Sequence, residues 1–291
     1  MIKAEASDVE EIVKRLEVDL ANNLLKYDVI SKKLRDEICT ELLGSKKIES
    51  TVEKLSGIKY NFNLSNTNVN LEQLTKKLKK AWNKKKPFSM LLYGVSGSGK
   101  SFYAKYLSQE LNLNFLKKKA SDLISKMVGE TEKNIQAAFN EAKEKEAILV
   151  LDEADSFLYD RVFAKQDFQV ATVNELLVQM ESFNYPFICT TNLIDKIDNA
   201  SFRRFVFKVK FDFLPKEKIK NAVKYFFNKS ISENKLAKYD CITAGDLFNV
   251  KRKLDILCDD KITSEDILSS LLEEIELKPD YKSKVKPKIG F

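Results

Sequence analysis

Histidine is absent from all 291 residues. That removes imidazole acid–base catalysis, histidine metal sites and histidine-based triads from consideration. Cysteine occurs four times, at Cys39, Cys189, Cys241 and Cys258, with no C-x-x-C spacing. Buried free thiols in a reducing compartment are the expectation. No apolar run approaches the length of a membrane span. The opening "MIKAEASDVEE" turns acidic at once and shows no apolar core of a secretion signal. A soluble protein of the cytoplasm, with no membrane partner, is predicted. Glycine is scarce, at eight residues, which gives weight to any place where glycines gather.

The length admits one large domain or two moderate ones with real cores. Charged residues make up 32% and apolar residues 44% of the chain, ordinary proportions that argue against wholesale disorder. The net charge of +7 is concentrated in "KKLKKAWNKKK" (76–86) and "KPDYKSKVKPK" (278–288). Such runs are read either as a solvated helix face and a tail, or as a patch for a phosphate backbone.

Along the chain, "SDVEEIVKRLEVDLANNLL" carries a capping box at Ser7 and Glu10 and a helical apolar stripe. A second helix is predicted over about 29–43. The Asn-rich "SGIKYNFNLSNTNVN" (56–70) reads as an irregular linker or loop. From Pro87 the texture changes: "FSMLLYG", "EAILVLDEADSF" and "YPFICTTN" are short apolar runs ending in polar residues, separated by amphipathic helices. That pattern predicts a buried parallel sheet with crossover helices. After an alternating strand in "VFKVKFDFLP" the remainder to residue 277 reads as all-helical. The expected fold is therefore α/β: a parallel sheet flanked by helices, with a small all-helical C-terminal region and a helical N-terminal segment. The expected boundaries are 1–58 (N-terminal helices), 59–213 (α/β domain), 214–277 (helical region) and 278–291 (basic tail).

Three of the eight glycines fall in one loop, Gly94-Val95-Ser96-Gly97-Ser98-Gly99-Lys100-Ser101-Phe102. This G-x-x-x-x-G-K-S pattern follows a predicted strand and opens a helix, the context in which it cradles phosphate. Its glycines let successive N–H groups point inward, and the helix N-terminus adds partial positive charge. Lys100 would reach the β- and γ-phosphates of ATP, and the Ser101 hydroxyl would take Mg²⁺. In "AILVLDE" a buried strand delivers Asp152, which can order Mg²⁺, and Glu153, which can act as general base on water. An acid pair of this form also serves elsewhere as a plain strand-end solubiliser; beside a P-loop the catalytic reading is preferred. The letters "DEAD" at 152–155 suggest a helicase. The chain is too short for the two RecA-like domains that reading needs, and it lacks the late-motif histidine.

The segments "ASDLISKMVGETEKNIQAAFNEAKEKEAILVLDEADSF", "NELLVQMESF" and "FICTTNLIDKIDNASFRRF" resemble the AAA family of ATPases, more narrowly the bacterial single-ring AAA proteins. The resemblance extends over roughly residues 60–277 and implies that 59–213 is a nucleotide-binding P-loop NTPase domain and that the helical region 214–277 is its lid. It implies that Asn192 is a sensor holding the attacking water. It implies that Arg203 and Arg204 occupy the arginine-finger region and reach a neighbouring protomer's site; which of the adjacent pair acts is left open, because the family's arginines are usually spaced apart. It implies that Lys126, Met127 and Val128 lie on a pore loop gripping an extended polypeptide, with methionine where the family carries an aromatic residue. It implies that Gly245 is the small residue of a second sensor region; Asp246 beside it reads as a first-turn helix acid. The expected assembly is a homo-oligomeric ring, most simply a hexamer, that remodels a protein substrate of unknown identity. The alternatives are an ATPase of the same superfamily acting on nucleic acid, as a loader or initiator, and a regulatory ATPase that switches a partner protein.

Overall fold

Alternation along the strands decides the architecture. In the computed structural model, which describes residues 57–125, 127, 129–158, 167–193, 197, 199–236, 239–257 and 261–278, β2 (Ser89–Gly94), β4 (Ala147–Asp152) and β5 (Phe187–Thr191) form the centre of a sheet. Leu91, Leu149, Leu151, Phe187 and Cys189 point into one apolar layer. Met90, Leu92, Ile148, Val150 and Ile188 point into the other. A strand whose side chains go alternately to two dry faces must be apolar at every position, and this is why the sequence shows continuous runs here rather than a polar–apolar alternation.

The sheet runs β1-β6-β2-β5-β4-β3, with β1 (Asn66–Thr67), β3 (Asn114–Lys119) and β6 (Phe207–Asp212) completing it. Every pairing is parallel except that of β1 with β6. One face is covered by α1 (Leu71–Asn83) and α2 (Lys100–Glu110), the other by α4 (Glu130–Glu144) and α5 (Asp167–Ser182); α3 (Ala120–Leu123) is a single turn after β3. The short α6 (Asn199–Arg204) precedes β6. The helices α7 (Lys216–Phe227), α8 (Glu233–Leu236), α9 (Ala244–Leu257) and α10 (Ser264–Glu276) build a separate apolar cluster around Ile219, Val223, Leu247, Val250, Ile267 and Leu271.

Two sequence-based expectations are corrected. Residues 57–70 of the expected linker or loop are mostly irregular but packed rather than linking: Phe62–Leu64 is a 3-10 turn, Asn66–Thr67 pairs antiparallel with β6, and Tyr60 stacks on Phe102 and Tyr106 of α2. Its asparagines, read as loop formers, supply backbone-like bonds instead: Asn66 Nδ2 donates to Phe213 O (2.6 Å) and Asn68 Oδ1 accepts from Lys210 N (2.8 Å). Lys278, placed in the tail by sequence, is tied down: its ammonium donates to Cys241 O (2.8 Å) and pairs with Asp246. The predicted N-terminal helices up to residue 56, and the tail beyond Lys278, lie outside the described residues. Cys189 and Cys241 are buried free thiols. No helix among the described residues is long and apolar enough to cross a membrane.

Gly94 ends β2 at φ 121°, and a Cβ built there would lie 1.9 Å from the carbonyl oxygen of Phe211 in the adjacent β6. The obstacle is backbone within a sheet, so it cannot turn aside. Gly94→Ala is expected to cost about 3 kcal/mol or more, read as a lowered midpoint in chemical denaturation; an unchanged midpoint would contradict this strand-to-strand distance.

Candidate nucleotide site

The loop between β2 and α2 turns on positive-φ glycines. Gly97 has φ 72° and Gly99 has φ 96°, and Gly99 caps α2 without a side-chain hydrogen bond. The N-terminus of α2 is thus left open toward the loop, a natural seat for an anion. Ser98 Oγ donates to Val95 O (2.6 Å) and closes the turn from within.

Lys100, the first residue of α2, is buried. Its ammonium donates to Gly94 O (2.9 Å), Val95 O (2.7 Å) and Asn192 Oδ1 (2.7 Å). Burial pulls its pKa down to about 8, against the opposing charges of Asp152 and Asp155. A concentrated, partly desolvated positive charge therefore sits at the loop.

Asp152 ends β4 and is also buried. Its Oδ1 accepts from Ser101 Oγ (2.9 Å) and from the Thr190 hydroxyl, while its Oδ2 pairs with the Lys117 ammonium. Burial alone would raise its pKa. The hydrogen bonds from Lys117, Thr190 and Ser101, with the charge of Lys117, outweigh burial and hold the carboxyl below the usual carboxylate range. Glu153 follows in a left-handed conformation, φ 56°, its side chain exposed and its N–H on Thr190 Oγ1 (3.3 Å). That conformation turns the residue out of the strand direction. Thr191 Oγ1 bonds Asp155 and accepts from Leu193 N (3.0 Å), fixing the strand end from which Asn192 projects.

One cavity of about 310 Å³ is lined by Ser96 to Phe102, Asp152, Glu153, Thr190, Thr191 and Asn192, with Lys117 and Asp155 behind its lining. The structure thus brings together the expected loop, the acid pair and Asn192. Gly94 and Val95 stand behind the cavity as carbonyl acceptors for Lys100. Gly245 is not in its lining; its N–H donates to Gly97 O (2.9 Å), and a Cβ there would meet Gly97 backbone at 2.9 Å. The first turn of α9 is pinned beside it by Thr243 and Asp246: Asp246 Oδ2 accepts from Thr243 N (2.7 Å) and Oγ1 (2.8 Å).

Arg203 and Arg204 lie on α6, outside the cavity lining. Arg204 pairs with Glu181; Arg203 is exposed and makes no hydrogen bond or ion pair among the described residues. Met127 is exposed (68%), its N–H on Ser125 Oγ (3.2 Å), while Lys126 and Val128 are outside the described residues. Sequence reading missed Lys117, Thr190, Thr191 and Asp155. The threonines precede Asn192 and carried a legible hint; Lys117 is one of three consecutive lysines and carried none.

The donor set fits Mg²⁺. Ser101 and Asp152 offer hard oxygens in mutual contact, and the described residues contain no group of three or more His, Cys, Asp or Glu side chains placed to hold a metal ion, here or elsewhere. Few protein ligands, with phosphate and water completing the shell, is the way Mg²⁺ is usually held beside a nucleotide.

Residues 90–213 match the model of the ATPase family associated with various cellular activities (AAA). Proteasome-activating nucleotidase 1 of Haloferax volcanii is 35% identical over 125 residues, covering 40% of this chain and 31% of that protein. Spastin of Xenopus laevis is 32% identical over 168 residues, covering 54% of this chain and 28% of that protein. The chain therefore aligns with about a third or less of the length of these relatives. The crystal structure of the FIGL-1 AAA domain in complex with ADP superposes with a TM-score of 0.56 over 83% of this chain and 89% of that one, at 20% identity, a likeness of fold. Residues 90–213, a little under half of the chain, are thus similar to the AAA domain of these ATPases.

Proposed function

We propose that this chain hydrolyses ATP, with Mg²⁺, as a homo-oligomeric ring, most simply a hexamer, and uses the cycle to remodel, unfold or disassemble a protein substrate. The observation that carries the reading is the convergence of Lys100, Ser101, Asp152, Glu153 and Asn192 on one cavity at the mouth of α2. Lys100 and the open N–H groups of the loop bind the phosphates. Ser101 and Asp152 hold Mg²⁺, which would neutralise phosphate charge when bound. Glu153, free to face the cavity, accepts the proton of the attacking water, and Asn192, braced by Lys100, orients that water.

The division into a nucleotide domain (59–213) and a helical lid (214–277) belongs to this reading. The bond from Gly245 to Gly97 O gives the lid a direct hold on the phosphate loop, so a change at the nucleotide is passed to α9 through one backbone contact. The exposure of Met127 suits a residue that grips polypeptide without sequence preference, and the names of the relatives, a proteasome-activating nucleotidase among them, favour protein as the substrate class. Action on nucleic acid draws on the lysines of α1, of which Lys76 and Lys79 are engaged by Glu72 and Glu110.

The test is the turnover per protomer as a function of protein concentration. If sites are completed between protomers, specific activity rises with concentration in step with assembly seen by light scattering. A rate per protomer that stays constant through dissociation to monomers would reject the ring mechanism.

A further inference from the structure

Lys117 touches the site and has no part in the roles above. It lies on β3 opposite Val150, and Asp152 lies opposite Lys119, in a parallel register. The two-residue period of a strand puts Lys117, Val150 and Asp152 on the same face of the sheet, and the long amine reaches along that face to Asp152 Oδ2. The carboxylate is therefore divided. Oδ1 serves the Ser101 hydroxyl and Thr190; Oδ2 is held by a cation.

An ion pair between two surface groups would be of small account. Asp152 is not a surface group: its side chain is 12% exposed, against 37% for Lys117, and it is the acid that faces Ser101 at the head of α2. Two cations on one carboxylate disfavour each other, the more so where water is scarce. A cation held on Asp152, one side chain behind the cavity lining, also supplies longer-range attraction of its own for an anion in the cavity.

We propose that Lys117 is a positioning residue that shares Asp152 with the divalent ion, weakening the site's hold on that ion while contributing positive charge to nucleotide binding, and so sets the free Mg²⁺ concentration at which nucleotide is retained. The inference rests on the nucleotide-site reading above. A mere tether for the Asp152 side chain would act in the opposite direction, because its loss would loosen a metal-holding carboxylate and raise the Mg²⁺ requirement.

The two are separated by titrating the full chain and its Lys117→Arg, Lys117→Gln and Lys117→Met variants with ADP carrying a fluorescent methylanthraniloyl group, from excess EDTA through a range of free Mg²⁺. With the charge removed, Lys117→Gln and Lys117→Met are each expected to reach half-maximal Mg²⁺ enhancement at about tenfold lower free Mg²⁺, and to bind the probe about tenfold more weakly in EDTA. Lys117→Arg should follow the wild type. The glutamine variant keeps a hydrogen-bond donor, so it reads the charge even where the methionine variant is unstable. A glutamine variant with the wild-type Mg²⁺ midpoint, or a methionine variant that needs more Mg²⁺, would overturn the proposal. A wild-type chain that fails to bind the probe under any of these conditions would instead refute the nucleotide site itself.

Discussion

Glu153→Gln is expected to bind ATP with near wild-type affinity and to turn it over about 100- to 10,000-fold more slowly. The side chain lies at the cavity and is exposed. The substitution removes a proton acceptor while preserving size and shape, so affinity and rate should part company. The left-handed backbone at φ 56° already bears the strain of a non-glycine residue, of order 1 kcal/mol, and glutamine inherits it unchanged. Isothermal titration with ATP and a coupled phosphate-release assay measure the two quantities on one preparation. Turnover within a few-fold of the wild type would remove Glu153 from the reaction and leave Asp155, held by Thr191 at the end of β5, as the next acid to examine.

Arg203→Ala should lower the turnover of assembled protein about a thousandfold, as the loss of an arginine finger does elsewhere, without lowering the melting temperature. Arg203 is exposed and bonded to nothing described, whereas Arg204 is engaged by Glu181 in its own protomer. A guanidinium held by its own chain is poorly placed to stabilise charge in a neighbour's site, so Arg204→Ala is expected to change the rate only a few-fold. The reciprocal experiment is more demanding. Arg203→Ala and Glu153→Gln protomers are each inactive alone, but mixed one to one, about a quarter of head-to-tail interfaces would pair an intact base with an intact finger. Activity recovered on mixing would establish that sites are shared. A mixture as inactive as its components, with exchange of protomers demonstrated, would exclude a finger given in trans.

The two arginines show where sequence reading stops. They are adjacent and chemically identical on paper, and only the fold sets Glu181 of α5 beside one of them. The phosphate loop is the opposite case. Its turn requires glycine for local reasons, and Lys100 and Ser101 follow within the same helix, so every part of it is contiguous. The acid pair was legible for a similar reason: a run of apolar residues long enough for one buried strand must end at the sheet edge, and Asp152 and Glu153 are what it ends with.

The docking of the Asn-rich stretch at 57–70 is not legible locally, because asparagine favours turns by bonding backbone groups, and here the backbone it bonds belongs to β6 and its flank, some 140 positions away. Lys278 was misread for the same reason, since its acceptors are fixed by the turn before α9.

Local chemistry alone thus determined the phosphate loop, the apolar strands and the helical periods, because each depends on residues within a few positions of one another. The tertiary structure alone decided that Lys117 shares a carboxylate with Ser101, that Asn192 braces Lys100, that Gly245 bonds Gly97 and that, among the described residues, Arg204 and not Arg203 is engaged. Those pairings follow from strand register and helix docking, and neither is set until the whole sheet has closed around its two apolar layers.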